Sequence, residues 1–328
     1  MRVALHADDL GQSPAISAGI LEAFRAGLLT GSSILANAPH AARSLAGWKT
    51  LEEDRRKDSL PSQANRSRLD DPKTPFDLGV HLNLSQGRPL ATAHLPQSLL
   101  DGEGCFRGLH TLVQLLAPGA SKYGEAIRRE LSTQIEFVLD HSIHPSRLDG
   151  HQYCELIPVV GQVVHALAQR YGITAVRVAR EPGVLGTLAS SRGARGLATW
   201  PAAITKQVLA GCYAAQSRRA GLHHPQWFFG TVTAGRVGPQ QIDRFLNIAA
   251  RRDATSIEIG LHPARRTGSE ACDDQTSAGA GRDWKDPLAE LRHRELEWLV
   301  DGDFTEWLRS RGVRLGRVSG SSAPPSST

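Results

Sequence analysis

Hydrophobic and polar positions along the chain follow two alternating periods. Short apolar or alternating runs, typical of β-strands, occupy residues 2–5, 76–84 and 256–261. In the intervening segments, such as 14–28 and 123–139, apolar residues recur every three or four positions, which predicts amphipathic helices. The predicted strands are 2–5, 32–36, 76–84, 147–149, 175–178, 226–229, 256–261 and 314–318, and the predicted helices are 14–28, 40–51, 123–139, 158–171, 202–220, 239–251, 287–299 and 304–311.

The repetition of strand and helix, about seven times, indicates an α/β fold with a parallel sheet. We predict a single domain over residues 1–318, a closed or nearly closed β/α barrel of about seven parallel strands, similar to a TIM barrel. An open doubly wound sheet is the alternative. No Gly-x-Gly-x-x-Gly follows a strand and no Walker loop is present, so sequence motifs do not indicate a nucleotide site. In either fold, functional residues lie at the carboxyl ends of the strands.

Two segments differ in composition from the rest of the chain. Residues 52–74 are rich in Asp, Arg, Lys, Ser and Pro, and we predict that they form a mobile surface insertion. Residues 319–328 are a low-complexity tail that we expect to be disordered.

Composition narrows the class of protein. Of 328 residues, 40% are hydrophobic and 22% are charged, which is typical of a globular domain with a sizeable core. We expect no membrane span and, without a signal-peptide pattern, a cytoplasmic location. The net charge of +5 with only 5% aromatic residues argues against nucleic-acid binding. The four cysteines (Cys105, Cys154, Cys212 and Cys272) have no regular spacing, which predicts free thiols.

The first predicted strand ends in a pair of acids, Asp8 and Asp9, and Ser13-Pro14 then begins a helix. Adjacent side chains on an extended chain point to opposite sides, so we expect the two carboxylates to diverge and serve separate roles. The alternative is a loop carrying two solvated acids.

Further ligand-type side chains follow other predicted strands. Asp9, His81 and His151 form a set of one carboxylate and two imidazoles, a composition found at hydrolytic or oxidative metal sites. Asp8 is then the candidate base that removes a proton from water, and His262 the candidate acid that protonates the leaving group. A histidine taken singly is more often a structural hydrogen-bonding residue than a ligand, so the prediction depends on the whole set.

Three further residues are candidates for contact with a substrate. Arg177 on its strand is a candidate to bind a sugar hydroxyl or a carboxylate, although structural pairing explains it as well. Trp227 and Phe229 are candidates to stack on a sugar ring, and packing in the core is the alternative.

Five segments occur in an order that resembles a known family. They are HADDLG at 6–11, GVHLN at 79–83, LDGHQ at 148–152, EIGLHP at 258–263 and DWKDPL at 283–288, the last followed by Arg292 and Glu295. Together they resemble the YdjC-like carbohydrate deacetylases, which include chitooligosaccharide deacetylase and hopanoid-associated relatives. The resemblance covers residues 1–318 apart from the insertion.

This resemblance implies a distorted β/α barrel with one divalent metal ion, magnesium or zinc. It implies Asp9, His81 and His151 as metal ligands, Asp8 as catalytic base and His262 as general acid. The implied substrate is an acetylated amino sugar or a chitooligosaccharide-like molecule. No nucleic-acid partner is expected, and a homodimer is left open.

The fourth motif departs from the family pattern. Relatives often have Asp-Gly-His-Gln-His-Val-His, whereas residues 149–155 read DGHQYCE, with Tyr153 and Glu155 in place of two histidines. Tyr153 is therefore a candidate substrate contact, with packing as the alternative. Two other functions stay open: hydrolysis of another amide or ester at the same metal site, and sugar binding without catalysis. Retention of the two aspartates and two histidines disfavours the latter.

Overall fold

The computed structural model describes residues 1–57, 76–116, 120–183, 194–266 and 284–318. Within them, parallel strands curl into a half-barrel surrounded by helices. The strands are β1 (Arg2–Leu10), β2 (Gly31–Ile34), β3 (Asp77–Leu82), β4 (Arg147–Gly150), β5 (Ala175–Val176), β6 (Trp227–Phe229), β7 (Ser256–Leu261) and β8 (Arg314–Leu315). The helices are α1 (Pro14–Arg25), α2 (Ala41–Arg56), α3 (Leu109–Leu116), α4 (Gly124–Asp140), α5 (Pro158–Arg170), α6 (Ala194–Arg219), α7 (Pro239–Ala250), α8 (Ala289–Leu299) and α9 (Gly302–Ser310).

The sheet order is β5-β4-β3-β2-β1-β7-β6, with β8 pairing to β1 at its start. The predicted α/β barrel with about seven parallel strands is confirmed as a distorted, curled half-barrel. The segments at its two edges approach each other. The amide of Phe228 in β6 donates a hydrogen bond at 2.9 Å to the carbonyl of Arg180, which follows β5. The carboxyl ends of the strands therefore surround one space.

Helix α1 shows how the sequence builds the layer outside the sheet. The Ser13 hydroxyl accepts a hydrogen bond from the amide of Ile16 at 3.2 Å, and Pro14 occupies the first turn. The apolar stripe of the helix is buried, and Phe24 meets Trp48 of α2 edge to face, with ring centroids 4.9 Å apart. The first predicted βα unit thus folds as the pattern indicated.

Several boundaries differ from the prediction. Helix α2 continues through Arg56, and Glu52 is buried and accepts a hydrogen bond from the amide of Phe76, so the insertion does not begin at residue 52. Residues 58–74 of the predicted insertion and the tail at 319–328 lie outside the described residues. Helix α3 was not predicted. Helix α6 begins at Ala194 rather than at residue 202.

Two other expectations can be compared with the described part of the chain. Cys105, Cys154 and Cys212 are free thiols as predicted, and Cys272 lies outside it. Each helix in the described part of the chain is too short or too polar to cross a bilayer.

Candidate active site

At the end of β1, the side chains of Asp8 and Asp9 both face one cavity. Pairing with β2 joins Ala7 to Ser32 and then Leu10 to Ile34, so β1 carries one extra residue, a β-bulge. Asp9 has a φ of 69°, in the left-handed region. Asp8 and Asp9 consequently line the same cavity, and the expectation that they point to opposite sides of an extended strand was wrong. Strict alternation fails because the backbone is not extended at Asp9.

The three residues predicted as metal ligands meet at this point. Candidate ligand atoms of Asp9, His81 and His151 all lie within 4.8 Å of one another, and the three residues are buried. Oδ1 of Asp9 is 3.2 Å from Nδ1 of His151 and 3.6 Å from Nε2 of His81, yet it accepts no hydrogen bond. A buried carboxylate oxygen without a donor is costly, and a cation would satisfy it. The set therefore fits a divalent metal.

A buried carboxylate orients His81. Nδ1 of His81 lies 2.7 Å from Oδ1 of Asp149 and donates to it, and Nε2 on the other side of the ring faces Asp9. Asp149 also accepts a hydrogen bond from the Ser33 hydroxyl at 2.6 Å. Burial alone would lower the pKa of His81, but the carboxylates of Asp8 and Asp149 outweigh it and raise the pKa. The same negative surroundings attract a cation.

The other oxygen of Asp9 is held by an arginine. Nη2 of Arg292 donates to Oδ2 of Asp9 at 2.7 Å. Burial alone would raise the pKa of Asp9, but the Arg292 guanidinium and His151 outweigh it, so the pKa stays well below its usual value. Asp9 is therefore ionised throughout the neutral range.

Arg177 holds the Asp8 carboxylate in a two-point contact. Its Nη1 and Nη2 atoms donate to Oδ2 and Oδ1 of Asp8 at 2.6 and 2.7 Å, and its Nε donates to Glu258 at 2.9 Å. Glu258 also accepts two hydrogen bonds from Arg147, at 2.9 and 3.0 Å. These ionic groups fill the barrel interior and fix the orientation of Asp8.

His262 lies across the cavity at the end of β7. Its Nε2 is 3.8 Å from Oδ2 of Asp8, and its backbone amide donates to Glu295 at 2.5 Å. Burial lowers the pKa of His262 to about 4, although Asp8 and Asp9 oppose the shift. The imidazole is therefore neutral at neutral pH.

A second group of ligand-type atoms comprises His6, Asp8 and Asp149. Its acceptors already have cationic partners, since Arg177 binds Asp8 and both Arg177 and Arg147 lie within 3.5 Å of Oδ2 of Asp149. Two guanidinium groups repel a further cation, so this group is a structural network.

The cavity above the aspartates has a volume of about 200 Å³. Tyr153 lines it, as the substrate-contact hypothesis requires, and Thr231 and Lys285 form other parts of the wall. A larger cavity of about 960 Å³ adjoins it and shares Gln86 and Gln152 with it, among other residues. The two cavities are therefore neighbours.

The other predicted substrate contacts lie away from the two cavities. Arg177 is completely buried against Asp8 and Glu258. Phe229 stacks on Phe245 with centroids 4.7 Å apart, in the core. Trp227 packs under the guanidinium of Arg180, which lies 4.4 Å from the ring centroid. In each of the three, the structure shows the alternative of pairing or packing.

The sequence analysis assigned no role to four supporting residues: Asp149, Glu258, Arg292 and Glu295. Asp149 lies two residues before His151 in the same motif, and Glu258 is an acid inside the apolar run SIEIGL, so each carried a local signal. Arg292 and Glu295, both on α8, carried no local signal beyond their place in the family-like motif.

Comparisons with known proteins agree with this architecture. The family model of YdjC-like proteins matches residues 2–310. A mouse protein named carbohydrate deacetylase is 31% identical over 96% of this chain and 93% of its own length. A Listeria innocua protein named carbohydrate deacetylase 1 is 33% identical over 53% of this chain and 60% of its own length. A solved structure from Enterococcus faecalis V583, provisionally described as a cellobiose-phosphate cleavage protein, has the same fold, with a TM-score of 0.63 and 20% identity over 96% of both chains. Because the family model covers nearly the whole chain, this protein belongs to the YdjC-like family.

Proposed function

We propose that this protein is a metal-dependent hydrolase that removes N-acetyl groups from an amino sugar or a chitooligosaccharide-like substrate. The proposal depends on one observation above all. Asp9, His81 and His151 converge around a buried carboxylate oxygen that has no hydrogen-bond donor, at the floor of an open cavity. Relatives named carbohydrate deacetylases supply the reaction class.

Asp9, His81 and His151 would hold the metal. When bound, a divalent cation supplies Lewis-acid chemistry, lowering the pKa of a water molecule and polarising a carbonyl. Two imidazoles and one carboxylate favour Zn²⁺ over Mg²⁺, because Mg²⁺ prefers oxygen ligands. Three protein ligands leave coordination positions free, as a catalytic site requires.

Asp8 is the proposed base. It lies on the cavity beside Asp9, and the Arg177 contact fixes its orientation, so it can accept the proton of an attacking water. His262 is the proposed acid for the departing amine. Because its imidazole is neutral at neutral pH, it must gain its proton during the reaction, and Asp8, 3.8 Å away, can supply it.

The two neighbouring cavities support the proposal of a substrate longer than one sugar. The inner cavity is large enough for the acetamido group and part of its ring, and the adjoining cavity offers room for further rings. Tyr153 is the proposed sugar contact beside the aspartates, since its ring offers an apolar face for stacking.

An acetate-release screen tests the proposal. Purified protein, stripped with a chelator, is assayed on N-acetylglucosamine and its oligomers with and without added Zn²⁺ or Mg²⁺, and Asp9→Asn is the matched inactive control. We expect acetate only from the wild-type chain with metal. Equal release without metal, or no release from any N-acetylated sugar, would contradict the proposal.

A further inference from the structure

The two oxygens of the Asp9 carboxylate have different surroundings. Oδ2 accepts a charge-assisted hydrogen bond from Nη2 of Arg292 at 2.7 Å. Oδ1 faces His81 and His151 and accepts no hydrogen bond, although it is buried. One oxygen is thus committed to a guanidinium, and the other is left for a cation.

Arg292 is itself held in place by a second carboxylate. Its Nε donates to Oδ2 of Asp286 at 2.8 Å, and the arginine is only 2% exposed. Asp286 is fixed in turn, because its Oδ1 accepts a hydrogen bond from the amide of Leu288 at 3.1 Å. A chain of ion pairs therefore runs from the segment before α8 to the candidate ligand Asp9.

The planar guanidinium makes this arrangement directional. Its donors have a fixed fork geometry, so a contact with Asp286 on one side determines the direction of Nη2 on the other. A lysine at the same position would offer a single flexible ammonium and could not hold both carboxylates in the same way.

We propose that Arg292 is a positioning residue that makes Asp9 bind the metal through Oδ1 alone, with Asp286 fixing the guanidinium. A carboxylate can bind a metal through one or both oxygens, and a charged donor on Oδ2 prevents the second bond. The coordination position saved in this way stays available for water or substrate. This inference rests on the metal site of the proposed function.

The test compares wild type, Arg292→Gln and Asp286→Asn in complex with Zn²⁺. Crystal structures of the loaded proteins show the ligand atoms directly, and titration calorimetry gives the metal Kd. In wild type we expect Oδ1 of Asp9 at about 2 Å from the metal and Oδ2 on Arg292. In Arg292→Gln we expect Asp9 to turn and bind through both oxygens, with the metal Kd or kcat/KM changed about 10- to 100-fold.

Asp286→Asn is the milder variant, because its side chain is partly exposed and the amide can still accept from Leu288. We expect the same change in smaller degree, so the test survives if Arg292→Gln fails to fold. Arg55→Gln is the matched control, since Arg55 is a buried arginine that pairs with Glu52 and lines neither cavity. It should leave both the ligation and the Kd unchanged.

The outcomes separate this inference from the proposed function. If wild type binds no divalent metal, the metal site fails and the inference fails with it. If wild type binds metal but Asp9 uses both oxygens, or keeps a single bond with an unchanged Kd in both variants, the inference alone is overturned.

Discussion

Replacing Glu155 with glutamine should change how the stability of the protein depends on pH. Glu155 is 1% exposed, and neither of its carboxylate oxygens has a hydrogen-bond partner. Burial raises its pKa from 4.5 to about 8. At about 1.4 kcal/mol per pKa unit, this shift corresponds to roughly 5 kcal/mol of unfolding free energy.

The sign of this pH dependence follows from the number of protons bound by the folded and the unfolded chain. Between pH 4.5 and 8 the unfolded chain releases the Glu155 proton while the folded chain keeps it. The free energy of unfolding of wild type therefore falls as pH rises through this window. Glutamine cannot ionise, so Glu155→Gln lacks this loss and gains stability relative to wild type as pH increases.

Lys206 reduces the expected magnitude. Its pKa is lowered to about 7 by burial, with Glu155 and Glu181 opposing the shift. Below that pH its ammonium favours ionised Glu155. We therefore expect the difference between the proteins to grow by about 2 to 5 kcal/mol from pH 4.5 to 8.5.

Urea unfolding monitored by tryptophan fluorescence measures this difference. Wild type and Glu155→Gln are compared at pH 4.5, 6, 7 and 8.5 at one ionic strength with a chelator present, so that titration of the metal site is common to both. Glu290→Gln, which removes an exposed carboxylate from α8, is the control and should run parallel to wild type. If Glu155→Gln also runs parallel, within about 0.5 kcal/mol, the buried carboxyl is not perturbed as its surroundings imply.

Four other substitutions test the site and its support. Asp8→Asn should retain metal but lose about 10²- to 10⁴-fold in rate, the usual effect of losing a general base, whereas Asp9→Asn should lose both metal and activity; calorimetry and acetate release would show reversed roles if the assignments are exchanged. Asp149→Asn should weaken metal binding about 10- to 100-fold, because its imidazole partner loses the carboxylate that orients it; an unchanged Kd would contradict that role. Gly19→Ala should cost about 1 to 3 kcal/mol in urea unfolding, since a Cβ there would lie 2.7 Å from Cα of Ala264; equal stability would show that this packing is loose.

Local patterns in the sequence were sufficient for the order of the strands and for the candidate metal-binding residues. Strand and helix periods are properties of neighbouring residues, so the starts of β1 and α1 were predicted correctly. Strand β1 continues to Leu10 instead of ending at residue 5, and α1 ends at Arg25 instead of at residue 28. His81 and His151 were predicted to meet Asp9 because all three follow or end parallel strands, whose carboxyl ends share one edge. The distances in the structure agree with that expectation.

The tertiary structure alone decided how these groups are held. The bulge that brings Asp8 and Asp9 into one cavity depends on the register between β1 and β2, which strand periodicity does not specify. Arg177 and Arg292 contact the two aspartates across 169 and 283 residues of sequence, so no local window contains either pair. Trp227, in a short aromatic strand, suggested either a packing role or a sugar platform, and only the structure shows the guanidinium of Arg180 over its ring. The side-chain contacts that orient a site join distant parts of the chain, and only folding brings those parts together.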